Sequence, residues 1–271
     1  NWDYRCVWIR DAAFSLYALL RLGFTDEADA FMRWLSERLG DPRPTDLDRG
    51  DHLGPLRVLY DIDGHVPETE EELEHLAGYR GSRPVRVGNG AAGQLQLDIY
   101  GELIDSVYLF NKYGSGISYD AWHDLVRVIE WLADNWEQPD AGMWEIRDEP
   151  QRHTVSRLMA WVAIERMIRT ARQRGLPGDI TSWSRARDAI YERIMDACWD
   201  AEAETFTQFE GADTVDAGLL LMPMVKFVAP SDPRFLATLR VIEERLVSDS
   251  LVFRYDAART NDGIGEKEGT F

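Results

Sequence analysis

The sequence predicts an all-α fold with helices in two concentric layers, for which a helical toroid is one solution. Three observations carry this expectation. Segments of helical length alternate along the chain between broadly apolar and amphipathic. Strand-like pieces are short and fall in the connections, at 57–60, 143–147, 205–209 and 251–255, so they build no sheet core. No fixed-length repeat supports a solenoid. Helices that are apolar on several sides need a second layer to cover them, and loops gathered at one end of such a toroid can converge on a pocket.

The elements follow in order. The first ten residues are dense in aromatic and charged side chains. A helix then runs over 11–22 and closes at Gly23. A second covers 26–39, capped by Thr25, with Asp26 and Glu27 suited to the N-terminal dipole and a stripe of Ala28, Phe31, Leu35 and Leu39. Residues 41–91 read as a long loop broken by Pro and Gly, with a short helix over 70–76 from the capping pair Thr69 and Glu72. Loops of this length are usually functional or disordered. Tyr79, Arg80, Arg83 and Arg86 argue for order, unless the arginines simply pair with the acidic surface. Further helices are expected over 92–113, 119–137, 155–174, 183–198, 214–228 and 234–247. The segment 155–174 is apolar enough for burial on several sides, and 214–228 carries a kink at Pro223.

Length and charge bound the function. A chain of 271 residues suffices for one large domain with a sizeable core. The net charge of −18 argues against nucleic acid and anionic membranes as partners. No run of 18 apolar residues spans a bilayer. Cys6 and Cys198 do not make a disulfide framework, which suits reduced thiols in a cytoplasmic protein. The ten tryptophans either stack on sugar faces or fill a helical core. The five histidines are scattered and no metal signature is present, so no metal or cofactor is expected. Phosphate-loop, dinucleotide and serine-hydrolase motifs are missing as well. What remains is carboxylates, arginines and aromatics in Gly-rich loops, the inventory of a glycosidase.

The stretch 139–147 is the candidate centre of that chemistry. Glu145 lies between Trp144 and Ile146, with Met143 one further out. Apolar neighbours desolvate a carboxyl and favour its protonated form, as a general acid requires. An ordinary strand glutamate facing water is the alternative.

Several motifs together resemble one family. They are Asn1-Trp2-Asp3-Tyr4-Arg5 with Trp8-Ile9-Arg10-Asp11-Ala12, the Gly78–Asn89 loop, Gln94–Glu102, Met143-Trp144-Glu145-Ile146-Arg147, Ser156–Ala163 and Leu251–Tyr255. In this order they resemble the catalytic domain of glycoside hydrolase family 15, which holds glucoamylases, glucodextranases and one group of trehalases. The resemblance implies an (α/α)6 toroid and hydrolysis of α-glucosidic bonds from the non-reducing end, with inversion. It implies Glu145 as the general acid and Arg10 and Asp11 as holders of the terminal sugar's hydroxyls. Trp8 and Trp144 then wall that subsite, and Arg254 and Glu268 complete it. For Arg10 and Asp11 the alternative is a helix cap with a surface ion pair. Cys6-Val7-Trp8, Arg157 and Glu165 depart from the family pattern without touching the acid. The family's general base has no counterpart in the chain. The expectation is therefore one toroid domain over 1–271, incomplete at its C-terminal end and lacking the β-sandwich that precedes it in bacterial members. The expected partner is an α-glucoside or α-glucan, acted on in a glucoamylase-like way. A trehalase of the same family and a sugar-binding toroid without turnover are the alternatives.

Overall fold

The computed structural model describes residues 2–40, 53–67, 70–256 and 259–260. These are mainly helical and fall into two compact units, Asn1–Leu95 with Asp105–Val128, and Gln96–Ile104 with Ile129–Phe271.

In the first unit β1 (Val7–Trp8) runs into α1 (Ile9–Leu22). β2 (Leu59–Tyr60) pairs antiparallel with β1, placing Trp8 opposite Leu59, and Ile9 N–H donates to Val58 O at 3.0 Å. The helix therefore starts two residues before the expected Asp11, because strand pairing delivers Trp8 in extended conformation to the cap position. Ile9, Arg10, Ala13, Leu16 and Leu20 are buried at helical spacing, and Gly23 closes the helix as expected. α2 (Thr25–Gly40) packs on α1 and buries Ala28, Met32 and Leu35. A small core of Trp8, Val58, Leu59, Ala91 and Ala92 holds the strand pair.

The expected helix over 70–76 is instead a short strand followed by a turn. β3 (Glu71–Glu72) pairs with β4 (Arg86–Val87), Leu73 N–H bonds Val85 O at 2.7 Å, and Arg86 lies 3.3 Å from Glu70 and 3.0 Å from Glu72. Glu70, Glu71, Glu72 and Glu74 repel one another on a helix, and pairing with the arginine-bearing strand relieves that repulsion. Thr69 lies outside the described residues.

α3 (Asp98–Tyr113) and α4 (Tyr119–Asn135) contribute to both units. The helix expected from 92 begins at Asp98, because a 3-10 turn at Gly90–Gly93, capped by the Asn89 side chain, occupies the preceding stretch. α3 is buried on most sides up to Val107, whereas α4 buries one stripe, Trp122, Leu125, Val128, Ile129 and Leu132. In the second unit α5 (Thr154–Arg174) is buried nearly all round, and α6 (Ile180–Ala197) packs on it through Trp183, Ile190 and Ile194. The alternation of enclosed and one-sided helices read from the sequence is thus present.

The segment 214–228 corrects the reading of one apolar helix. It holds a 3-10 turn at Ala217–Leu220 and a single helical turn, α7 (Leu221–Met224). Asp216 breaks the helix by accepting the Gly218 N–H, and Ala217 N–H is taken by Arg254 O at 2.8 Å. The apolarity marks burial, not helical period. α8 (Pro233–Leu246) follows, capped by Asp232, with Pro233 at its start. Two-residue hairpins β5 (Trp199–Asp200) with β6 (Thr205–Phe206), and β7 (Val247–Ser248) with β8 (Leu251–Val252), sit in connections as expected. Residues 142–145 form a turn, and no strand runs over 143–147. No described helix is long and apolar enough to cross a membrane.

Gly101 on α3 lies against the backbone of α5. A Cβ there would stand 2.2 Å from Met159 O. Gly101→Ala should destabilise the protein by about 1–3 kcal/mol, the usual cost of overpacking. An unchanged denaturation midpoint would refute this close approach.

Candidate functional site

The turn that carries Glu145 is built from short-range bonds and two left-handed residues. Glu145 N–H donates to Gly142 O and Ile146 N–H to Ala141 O, both at 3.1 Å. Gly142 has φ 69° and Glu145 has φ 58°. The first suits glycine twice over, since a Cβ would also press on the His153 ring at 2.8 Å. The second is uncommon for a glutamate and persists only when its surroundings hold it. Glu145 is half-buried between half-buried Trp144 and buried Ile146. The apolar flanks expected from the sequence are present, on a turn instead of a strand.

The turn is anchored at its start by Asp140. Asp140 and Gln151 exchange both backbone hydrogen bonds at 2.9 Å. The Asp140 carboxyl is fully buried and accepts from Leu97 N–H at 2.9 Å and Ser156 Oγ at 2.7 Å. Burial pushes its pKa up to about 7, against the hydrogen bonds from Leu97, Ser156 and Gly142, with the nearby Asp98 carboxylate adding to the rise. His153 is buried edge-on to Phe209, and burial together with the Arg157 charge lowers its pKa to about 4.

A second buried carboxyl meets Trp144. The indole Nε1–H donates to both oxygens of Asp216, at 3.0 and 2.9 Å, and Gly218 N–H donates to Oδ1 at 2.6 Å. Burial raises the pKa of Asp216 to about 7 even though both bonds favour its charged form. The Arg254 guanidinium lies 5.6 Å from the centre of the Trp144 ring, and Tyr255 forms a β-bridge with Asp216. Trp144, with its neighbour Glu145, and Arg254 therefore lie together within the second unit.

Trp8, Arg10 and Asp11 belong to the first unit. Trp8 and Arg10 are buried, and Asp11 is exposed in the first turn of α1. The cap position is Trp8, which makes no side-chain cap bond, so Asp11 is not the cap. Nearby, Asp3 accepts from Arg5 Nε at 2.8 Å, from Arg5 Nη2 at 2.7 Å and from Gly88 N–H at 3.0 Å. The Arg5 bonds hold its carboxyl well below the usual carboxylate range. Asp3 so ties the opening motif to the loop around Gly88, and Arg86 stacks on Trp2 at 4.3 Å. Glu268 lies outside the described residues.

Asp140, His153 and Asp216 were not singled out from the sequence. Asp216 had a signal, as the lone charged residue in the apolar run from Thr214 to Val225. Asp140 sits inside the 139–147 stretch but looks like a turn aspartate. His153 carries no local mark. Among the described residues Asp61, Asp63 and His65 could close on a cation, but they are exposed or half-exposed, and His65 is bonded to Asp61 through both N–H and ring.

The chain matches the family model of glycosyl hydrolases family 15 over residues 1–271. It is 39% identical over 271 residues to a trehalase of Mycobacterium tuberculosis, an alignment covering 100% of this chain and 39% of that protein. The chain thus spans about two fifths of that relative's length. Among solved structures, a wild-type glycosidase superposes with TM-score 0.71 at 19% identity, covering 93% of this chain and 64% of the other. A bacterial glucoamylase complexed with acarbose superposes with TM-score 0.65 at 16% identity, covering 97% and 37%. At these identities the structural likeness speaks for the fold alone. The family match over the full length of the chain is what decides its membership, and the chain belongs to glycosyl hydrolases family 15.

Proposed function

We propose that this chain is part of a glycoside hydrolase that cleaves an α-glucosidic bond with inversion, and that its substrate is trehalose. The carrying observation is the half-buried Glu145 on its left-handed turn, flanked by Trp144 and with Arg254 stacked on that indole. A carboxyl between an aromatic and an aliphatic side chain is partly desolvated, which favours the protonated form that can deliver a proton to a leaving oxygen. Glu145 is the general acid in this reading. By the family resemblance, Trp144, Arg254 and Glu268, and likewise Trp8, Arg10 and Asp11, are the proposed sugar-binding residues, with arginines donating to hydroxyls and carboxylates accepting from them. An inverting reaction needs a second carboxylate about 6.5–9.5 Å from the acid, with a water between them. Asp11 and Glu268 are assigned to sugar binding, so the base is not placed among the residues named here.

The choice of trehalose over a maltodextrin rests on the relative named a trehalase, 39% identical over the whole chain. This favours the trehalase alternative over the glucoamylase-like reading that the motifs first suggested. The maltodextrin reading, which the resemblance of the motifs to the family first suggested, stays the second choice. Free Cys6 and Cys198 suit a cytoplasmic setting. The test is glucose release by the intact protein from trehalose, maltose, isomaltose and a maltodextrin. We expect kcat/KM for trehalose to exceed that for maltose by at least about tenfold, the discrimination that one contact worth 1.4 kcal/mol supplies. Preference for maltose would hand the assignment to the glucoamylase-like reading, and sugar binding without turnover would leave a binding toroid.

A further inference from the structure

We propose that Asp216 is a positioning residue, which acts through the Trp144 indole to hold the left-handed turn presenting Glu145. The inference rests on the reading of Glu145 as the acid. An indole has one polar atom, a donor, and here that donor meets both oxygens of a single carboxyl, at 3.0 and 2.9 Å. Asp216 therefore fixes the edge of the ring. The same segment also fixes its face: Ala217 N–H bonds the carbonyl of Arg254, whose guanidinium stacks on Trp144.

Asp216 is itself immobilised. It is 2% exposed, its Oδ1 accepts the Gly218 N–H at 2.6 Å, and its backbone bridges to Tyr255. The next residue after Trp144 is Glu145, at φ 58°. A glutamate relaxes out of that region unless something outside the turn resists. The Trp144 side chain, tied to a segment 72 residues further along the chain, supplies such resistance. A buried carboxyl is also a costly way to satisfy one indole and one amide, so packing by itself gives no reason for it. Fixing the turn gives one, because a displacement of about 1 Å in a reacting group can cost about 10²-fold in rate.

The experiment uses the intact protein and two substrates, the better of trehalose and maltose, and α-glucosyl fluoride. Fluoride leaves with little help from an acid, whereas a sugar alkoxide needs the proton. Asp216→Asn should lower kcat on the disaccharide by about 10–100-fold with KM little changed, and should nearly spare the fluoride. Trp144→Phe removes the indole donor, so adding Asp216→Asn to it should cost nothing further on the disaccharide. Equal losses on both substrates, or additive losses in the double variant, would overturn the positioning role. Should Asp216→Asn not fold, Trp144→Phe is read by the same criterion: a kcat loss confined to the disaccharide upholds the proposal, and equal losses overturn it. Glu145→Gln, measured alongside, separates the two ideas. If it keeps turning over the disaccharide, the acid assignment fails. If it loses the disaccharide and spares the fluoride while Asp216→Asn discriminates neither substrate, only the positioning role fails.

Discussion

Replacing Glu145 with glutamine in the intact protein should reduce kcat on trehalose or maltose by at least about 10²-fold, the lower end of what general acid catalysis contributes. The amide keeps the shape of the carboxyl and its place between Trp144 and Ile146, so substrate affinity should survive. It cannot give up a proton to the leaving oxygen. The left-handed backbone at φ 58° does not depend on the charge of the Glu145 side chain, so the denaturation midpoint should move little. Near wild-type kcat on an unactivated glucoside would remove Glu145 from the mechanism. A large fall in the midpoint would mean that the residue serves the fold first.

The second large effect concerns stability against pH. Asp140 is fully buried with its pKa pushed up to about 7, while an unfolded chain releases that proton near 4. Between these values the folded state binds more protons than the unfolded state, so stability falls as pH rises from about 4 to about 7. His153 works in the opposite direction. Its folded pKa is lowered to about 4, so the unfolded chain gains the proton first below about 6.5, and stability is lost as pH falls through that window. Asp140→Asn removes the first contribution and leaves the second. The variant should therefore gain on the wild type between pH 4 and pH 7.5, by an amount that approaches but does not exceed about 4 kcal/mol. Chemical denaturation at the two pH values measures it. An equal difference at both would mean that the donors from Leu97 and Ser156 keep Asp140 ionised throughout.

The residues themselves determined the kinds of helix and pointed to the stretch that carries the candidate site. The enclosed α5 and the one-sided α4, α6 and α8 are legible because helical period and apolarity are local properties. Glu145 with its apolar flanks was legible for the same reason, as was the resemblance of the motifs around it to the family the chain belongs to. Tertiary structure decided what depends on distant partners. The glutamates at 70–74 carry a helix-start signal, yet β4 and Arg86 draw Glu71 and Glu72 into a strand. The apolar run after Thr214 reads as a helix, but Asp216 captures Gly218 N–H and Trp144 and breaks it. The 143–147 stretch reads as a strand, and becomes a turn because it is bonded back to Ala141 and Gly142. Asp140 and Asp216 look like ordinary aspartates in one dimension. Burial, which only the folded chain creates, raises both pKa values to about 7 and makes them the most perturbed carboxyls beside the Glu145 turn.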